Sequence, residues 1–284
     1  MPITLDPVSY ATQYELCKNA STMTSAAIDW FKANSDTWLS HAEITDKDKA
    51  TFSVLSVGSG VGDIDFAVIN MLLAQHRPTT QTLKYIALEP NPIHYQKFQK
   101  QLHETNWDST VDVSIRQDYF NAAYAANIQE RFDLIIMAHS LYYFADPYAT
   151  IQQILALTKP KGKVVIIHQT DLGLPSIRQA FQYNLDGMMP AAAIRQLLDH
   201  HQQPYQYVEI ATKFDATECL KRSPAGLSLM SFCLEYDVLT LNETEMETLV
   251  NAFAQAADMQ ENGRSYMPES IGIFTLTSEQ CDKL

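Results

Sequence analysis

The sequence predicts an α/β fold, doubly wound around a mainly parallel sheet, and three observations carry that prediction. From Phe52 onwards, short apolar runs rich in β-formers alternate with helical runs. One of them, Phe132–Met137, is apolar almost throughout, as a strand covered on both faces has to be. A glycine-rich turn, Gly58-Ser59-Gly60-Val61-Gly62, stands directly after the first strand. Alternation at such short spacing calls for parallel strands joined by helices on both faces of the sheet.

The first fifty residues read as helical. Ser9–Asn19 and Ser21–Asn34 carry apolar side chains at three- and four-residue spacings, Tyr10, Tyr14, Ile28, Trp30 and Phe31 among them. The charged stretch Glu43–Lys49 then marks a turn. Strands are expected at Phe52–Val57, Leu83–Leu88, Val111–Ile115, Phe132–Met137 and Lys163–His168, with Lys159–Gly162 (KPKG) as a turn before the fifth. Ile64–Gln75, Ile93–Thr105 and Pro147–Leu157 are the helices between them. After Gln169 the rhythm loosens. Leu174–Asn184, Ala191–His201 and Glu243–Ala257 look helical, Thr217–Leu220 and Ser228–Leu234 are short helical pieces, and Tyr205–Ile210 and Ser270–Thr277 complete seven strands. Neither an internal repeat nor a low-complexity linker interrupts the chain. The organisation expected is a helical cap over residues 1–50 and a catalytic domain over 51–284, with lid insertions around 170–204 and 213–240.

Composition narrows the function. Hydrophobic residues make up 46 % of the 284, enough for a sizeable core. No apolar run approaches the roughly 20 residues of a membrane span. Met1–Tyr10 lacks the basic start and apolar stretch of a signal peptide, so a cytoplasmic protein is expected. The 20 basic residues set against 33 acidic ones leave a formal charge of −13, which disfavours nucleic-acid and anionic-membrane partners. That balance suits a cationic small substrate. Cys17, Cys219, Cys233 and Cys281 are scattered, without CxxC or Cys/His metal-ligand spacing, and are expected as reduced, partly buried thiols with no metal site. Oligomeric state is open between a monomer and a weak homo-oligomer.

In an open parallel sheet, ligands bind beyond the carboxyl ends of the strands. Glycines there let the backbone turn tightly and remove the Cβ that would block a ligand. A dinucleotide enzyme would continue the turn as GxGxxG; here the third-glycine position is Asp63. An acid at that opening repels a pyrophosphate and suits a cationic amino acid head or a sulfonium, which favours S-adenosyl-L-methionine over a nicotinamide cofactor. A turn with no ligand is the plainer alternative. Glu89 closes the second strand, where a carboxylate accepts both ribose hydroxyls. Asp118, after the third strand, suits the adenine amino group or is a surface acid. Beyond the fourth strand stands Ala138-His139-Ser140-Leu141-Tyr142-Tyr143. Tyr142 and Tyr143 are either an aromatic wall that desolvates a cation or core residues. His139 is a substrate contact with weak base character or a hydrogen-bonded structural histidine. A nicotinamide oxidoreductase and a non-catalytic cofactor sensor are the competing classes.

The chain resembles the histamine N-methyltransferase family of small-molecule class I methyltransferases. VLSVGSGVGDID (Val54–Asp65), LEPNP (Leu88–Pro92) and Leu141–Tyr143 carry the resemblance, with looser similarity at Lys18–Thr22 and the closing strand. It implies a Rossmann-like, doubly wound, mainly parallel seven-stranded sheet with helical additions forming a substrate lid. It also implies S-adenosyl-L-methionine held by Gly58, Ser59, Gly60, Gly62, Glu89, Pro90, His94, Asp118 and Ala138; the family usually has Gln where His94 stands. The acceptor would meet Tyr10, Tyr14, His139, Tyr142 and Tyr143, the last three forming the catalytic set. Three departures bear on the acceptor, the first being that the family's pocket Gln beside the tyrosines is replaced by His139. The family's amine-gripping acid falls near Met23, and a pocket Asn falls near Glu269. Either the anchor has moved to Glu269 or the acceptor is not histamine, and the second reading is preferred. The expected activity is N-methylation of a small amine or imidazole, with O- or S-methylation as the alternative.

Overall fold

The structure, a computed structural model, describes residues 7–39, 51–74, 82–181 and 189–278. It begins with helices α1 (Pro7–Ala20), α2 (Met23–Ala33) and α3 (Asp36–Leu39). Then β1 (Thr51–Val57), α4 (Asp63–Ala74), β2 (Thr82–Leu88), α5 (Pro92–Glu104), β3 (Val111–Arg116), α6 (Ala122–Asn127) and β4 (Phe132–Ala138) alternate. A single turn of 3-10 helix at Leu141–Tyr143 leads to α7 (Pro147–Ala156) and β5 (Thr158–Gln169). The rest comprises α8 (Leu174–Phe181), α9 (Ala191–His200), β6 (Gln206–Asp215), α10 (Thr217–Leu220), α11 (Pro224–Leu234), α12 (Glu243–Ala256), β7 (Met259–Glu261) and β8 (Arg264–Thr277). The expected turn at Glu43–Lys49 lies outside the described residues, as does the end of the helix expected over Leu174–Asn184.

Two compact units divide the chain. The sheet unit comprises Ala27–Ile167, Arg195–Val208 and Ile273–Leu284. The strands of the sheet lie in the order β3-β2-β1-β4-β5-β8-β6, the seven expected. Pairs β3–β2, β2–β1, β1–β4 and β4–β5 are parallel. Successive strands step outward from β1 to β3, and the chain then returns to place β4 on the other side of β1. That reversal between β1 and β4 is the switch point at which doubly wound sheets open a crevice for ligands. The apolar runs that predicted these strands are the buried ones: Val54, Leu55, Leu83, Ile86, Ile135 and Ile166 are all fully enclosed.

Helix boundaries follow local chemistry. Asn91 caps α5 by accepting from the Ile93 and His94 amides, with Pro92 at the first helical position. Asp146 caps α7 in the same way through Ala149 N. One expected feature is corrected: KPKG does not precede the fifth strand but forms a bulge inside it. Phe132 pairs with Thr158 and Leu134 with Lys163, so the intervening residues of β5 loop out, with Lys161 in the left-handed region at φ 65°. At Gly162 a Cβ would stand 2.8 Å from the Phe132 carbonyl oxygen, which is why glycine ends the bulge.

The second unit, Met1–Ala26, His168–Ile194 and Glu209–Gly272, is richer in helix. Phe214, Cys219, Met230, Leu249, Phe253 and Met267 form its buried core. It contains β7, which pairs antiparallel with the start of β8 and adds an eighth strand beside the seven-strand path. Its turn is Asn262-Gly263, both at positive φ, the backbone a two-residue hairpin requires.

Candidate active site

In the sheet unit the ends of β1, β2 and β4 are drawn together by backbone geometry. The amides of Gly58 and Ser59 both donate to Leu88 O, at 2.9 and 3.0 Å, which folds the glycine turn over the end of β2. Gly58 has φ 72°, and a Cβ on it would lie 2.7 Å from Ser140 Cβ, so both conformation and space demand glycine. Ser140 is buried and donates to Val57 O at 2.8 Å, tying the end of β4 to the end of β1.

Glu89 occupies the centre of this arrangement. Its Oε2 accepts from Gly60 N at 2.7 Å and its Oε1 from Asn91 N at 2.8 Å. The side chain is 5 % exposed, and burial pushes its carboxyl above the ordinary value against the pull of those two amides. His94 is buried beside it, with Nδ1 4.0 Å from Glu89 Oε1. Pro90 is half-buried between Glu89 and the α5 cap. Asp118 sits exposed after β3, accepting from Tyr119 N at 2.8 Å. Ser59 Oγ is buried and has no hydrogen-bond partner among the described residues.

These features fit S-adenosylmethionine. Left-handed glycines at 58, 60 and 62 form the tight turn at the strand end, Ser59 has a hydroxyl with no partner among the described residues, and Glu89 brings a carboxylate to the strand end where a ribose diol can donate to it. No group of three or more His, Cys, Asp or Glu residues suited to a metal is found among the described residues.

Beyond β4, His139 takes a left-handed backbone at φ 51°, rare for a residue with a Cβ, and its amide donates to Ile167 O at 2.8 Å. Burial lowers its imidazole from 6.5 to about 4, so the ring is neutral at physiological pH. Ala138 ends β4, half-buried. Leu141 is buried and anchors the 3-10 turn. Tyr142 is half-buried and Tyr143 is 64 % exposed, with ring centroids 4.4 Å apart.

Tyr10, Tyr14 and Glu269 belong to the helix-rich unit. Tyr10 and Tyr14 are four residues apart on one face of α1, their rings 6.2 Å from each other. Phe232 of α11 meets both, at 5.4 and 6.5 Å. Glu269 is 1 % exposed. Its Oε2 accepts from Ser21 Oγ at 2.9 Å, and its Oε1 has no partner among the described residues. Burial pushes this carboxyl up to about 7. Gly173 lets the chain pass: a Cβ there would stand 2.9 Å from Glu269 Cγ. Met23, near which the resemblance would put the family's acid, is buried.

Several participants escaped the reading of the sequence. Ser140 and Asn91 act through hydrogen bonds to backbone that no motif displays. Asp65 lies inside the quoted glycine motif without an assigned role, yet it is buried and bonded to Tyr85. Ser21 lies 248 positions from Glu269, and only the fold joins them.

Comparison with known proteins gives a consistent picture. A family model described as a methyltransferase domain matches residues 29–217. Carnosine N-methyltransferase 2 from Gallus gallus is 27 % identical over 195 residues, covering 65 % of this chain and 60 % of that protein's own length. Histamine N-methyltransferase from Danio rerio is 24 % identical over 213 residues, 69 % of this chain and 70 % of the relative. Among solved structures, the YcgJ protein from Bacillus subtilis superposes with a TM-score of 0.51 at 12 % identity, covering 89 % of this chain and 98 % of that one. At that identity the likeness concerns the fold, a Rossmann-like sheet with flanking helices.

Proposed function

This chain belongs to the methyltransferase-domain family, and from that premise we propose that it moves the methyl group of S-adenosylmethionine onto a nitrogen of a small amine or imidazole. The observation that carries the cofactor side is Glu89: a buried carboxylate at the end of β2, held by the Gly60 and Asn91 amides within the glycine turn. The nitrogen acceptor is supported by the relatives, whose names specify histamine and carnosine N-methylation.

The cofactor supplies a methyl carbon activated by a sulfonium. The protein's part is to hold an acceptor lone pair in line with that carbon and to exclude water, and orientation of this kind reaches effective molarities of about 10⁵ M or more. Gly58–Gly62, Ser59 and Glu89 bind and orient the donor, with His94 packed against Glu89 and Asp118 reserved for the adenine end. Tyr142 and Tyr143 offer ring faces to a cationic acceptor. His139, neutral at working pH, positions the acceptor through a ring nitrogen rather than removing a proton from a strongly basic amine. Taken by itself, the helix-rich unit offers ring faces at Tyr10 and Tyr14 and, at Glu269, a carboxyl oxygen with no partner among the described residues.

Two measurements test this. Calorimetry should show binding of S-adenosylhomocysteine and none of a nicotinamide dinucleotide. Incubation of the protein and S-adenosylmethionine with a panel of amines, imidazoles, phenols and thiols should add 14 Da to a nitrogen compound; transfer only to phenols or thiols overturns the nitrogen assignment.

A further inference from the structure

Cys17 and Cys233 are far apart in sequence, yet the fold brings their sulfurs to 3.6 Å. Both side chains are partly exposed. Cys17 is on α1 and Cys233 on α11, the same two helices that pack Tyr10 and Tyr14 against Phe232. The thiols therefore face each other inside a packed helix contact. A disulfide requires sulfurs about 2.05 Å apart, so closure from this starting point takes about 1.5 Å of approach, within reach of side-chain rotation and a small helix shift.

We propose that Cys17 and Cys233 form an oxidative modification site, closed to a reversible disulfide by hydrogen peroxide, that pins α1 to α11. The Cys17 thiolate attacks one peroxide oxygen, the O–O bond breaks, and the departing hydroxide takes a proton and leaves as water. The Cys17 sulfenic acid is then displaced by the Cys233 sulfur: the S–S bond forms, the S–O bond breaks, and the hydroxyl leaves with the Cys233 proton as a second water. Two thiols are oxidised and one peroxide is reduced to two waters. A dithiol reverses the step by exchange.

The environment assigns the order. The hydrogen bond with Cys17, together with burial, holds the Cys233 thiol well above the ordinary cysteine value, so Cys233 is assigned the proton-bearing, resolving role. Cys219 is fully enclosed in the core of the same unit and burial pushes its thiol up to about 12, which makes it inert by comparison. The inference rests on sulfur geometry and stands whatever the methyl acceptor is.

The test uses the full chain, treated with hydrogen peroxide, alkylated in denaturant and mapped by mass spectrometry. The expected result is a cross-linked peptide pair containing Cys17 and Cys233, two alkylation sites lost, and both restored by dithiothreitol. The unfolding midpoint of the treated protein should rise by about 5 °C, as closure of a long loop predicts, and the rise should be absent in Cys17→Ser and Cys233→Ser. A bond to Cys219 or Cys281 instead overturns the proposal. So does full alkylation, or oxidation beyond the sulfenic stage, at Cys17 and Cys233. The mass map needs no variant, so it decides the matter even if a serine substitution fails to fold.

Discussion

The Tyr85 hydroxyl donates a hydrogen bond to Asp65 Oδ1 across 2.9 Å, and both side chains are buried. Burial raises the Asp65 carboxyl from 3.8 to about 6, although the bonds from Ser56 and Tyr85 pull it down. Asp65 lies in the first turn of α4, just after the glycine turn, and its charge also pushes Glu89 upward. The chain thus keeps a partly compensated negative charge next to the loop proposed to meet a cationic cofactor.

That arrangement costs stability in the unliganded protein, with a definite sign. Between pH 3.8 and about 6 the folded state binds more protons at Asp65 than the unfolded state does, so this contribution to stability declines as pH rises and stays low above 6. Asp65→Asn, which cannot ionise, should therefore unfold at higher denaturant than the parent at pH 8, by about 1–3 kcal/mol on the scale of 1.36 kcal/mol per unit. The gain should shrink towards pH 4. A difference independent of pH would remove the desolvated charge as its cause. Tyr85→Phe should do the opposite at pH 8, destabilising by about 1–3 kcal/mol because the buried carboxylate loses a donor.

Glu89→Ala should weaken S-adenosylhomocysteine binding by roughly 10- to 100-fold, the scale of hydrogen bonds to a charged group. Titration calorimetry reads this directly. Unchanged affinity would take Glu89 out of the cofactor site.

Gly58→Ala places a Cβ at a backbone φ of 72° and 2.7 Å from Ser140 Cβ. Strain and collision together should cost about 2 kcal/mol or more. The turn should also shift enough to abolish measurable cofactor binding. A variant with parental affinity and unfolding midpoint would show that the β1–β4 junction yields without consequence.

The difference between what the sequence displayed and what it concealed has a physical origin. Strands in a sheet covered on both faces must be apolar, so Leu83–Leu88 and Phe132–Met137 announce themselves. β7, with Met259, Gln260 and Glu261 all exposed, has no such pattern. Its sequence signal is the Asn262-Gly263 turn alone. KPKG has turn composition because a bulge needs the same backbone freedom as a turn, and composition cannot separate the two. In the candidate site, the turn at Gly58 and the strand end at Glu89 were legible because a tight strand-end turn constrains residue type locally. Ser21 with Glu269, and Cys17 with Cys233, were not: each residue is ordinary in its own neighbourhood, and the pairing arises from helices and strands more than 200 positions apart. The neutral state of His139 is likewise set by burial, which no neighbouring residue in the chain announces.

With its imidazole near 4, His139 stays uncharged across the working range. Its folded value lies below the ordinary 6.5, so its contribution to stability is present above 6.5 and is lost as pH falls towards 4. Any ionisation seen in kcat between pH 6 and 8 should therefore survive His139→Asn. Loss of that ionisation in the variant would assign it to His139 and contradict the neutral-ring account.

Besides Asp65 at about 6, Glu269 is placed to titrate in that range, with its carboxyl at about 7 and one oxygen held by Ser21. Between 4.5 and 7 the folded state again holds the extra proton, so the stability contribution falls as pH rises through this window, and Glu269→Gln should stabilise the unliganded chain at pH 8 by about 1–3 kcal/mol. Its effect on a cationic acceptor should run the other way. At pH 8 the parent presents a carboxylate and the variant a neutral amide, so the variant KM should rise by about tenfold, equivalent to one charge-assisted hydrogen bond. At pH 6 Glu269 is mostly protonated, and the KM ratio between variant and parent should fall towards one. A neutral acceptor should show no such pH-dependent ratio. Equal KM values for a cationic acceptor at pH 8 would leave the buried carboxyl a structural partner of Ser21 and send the search for the ammonium anchor elsewhere.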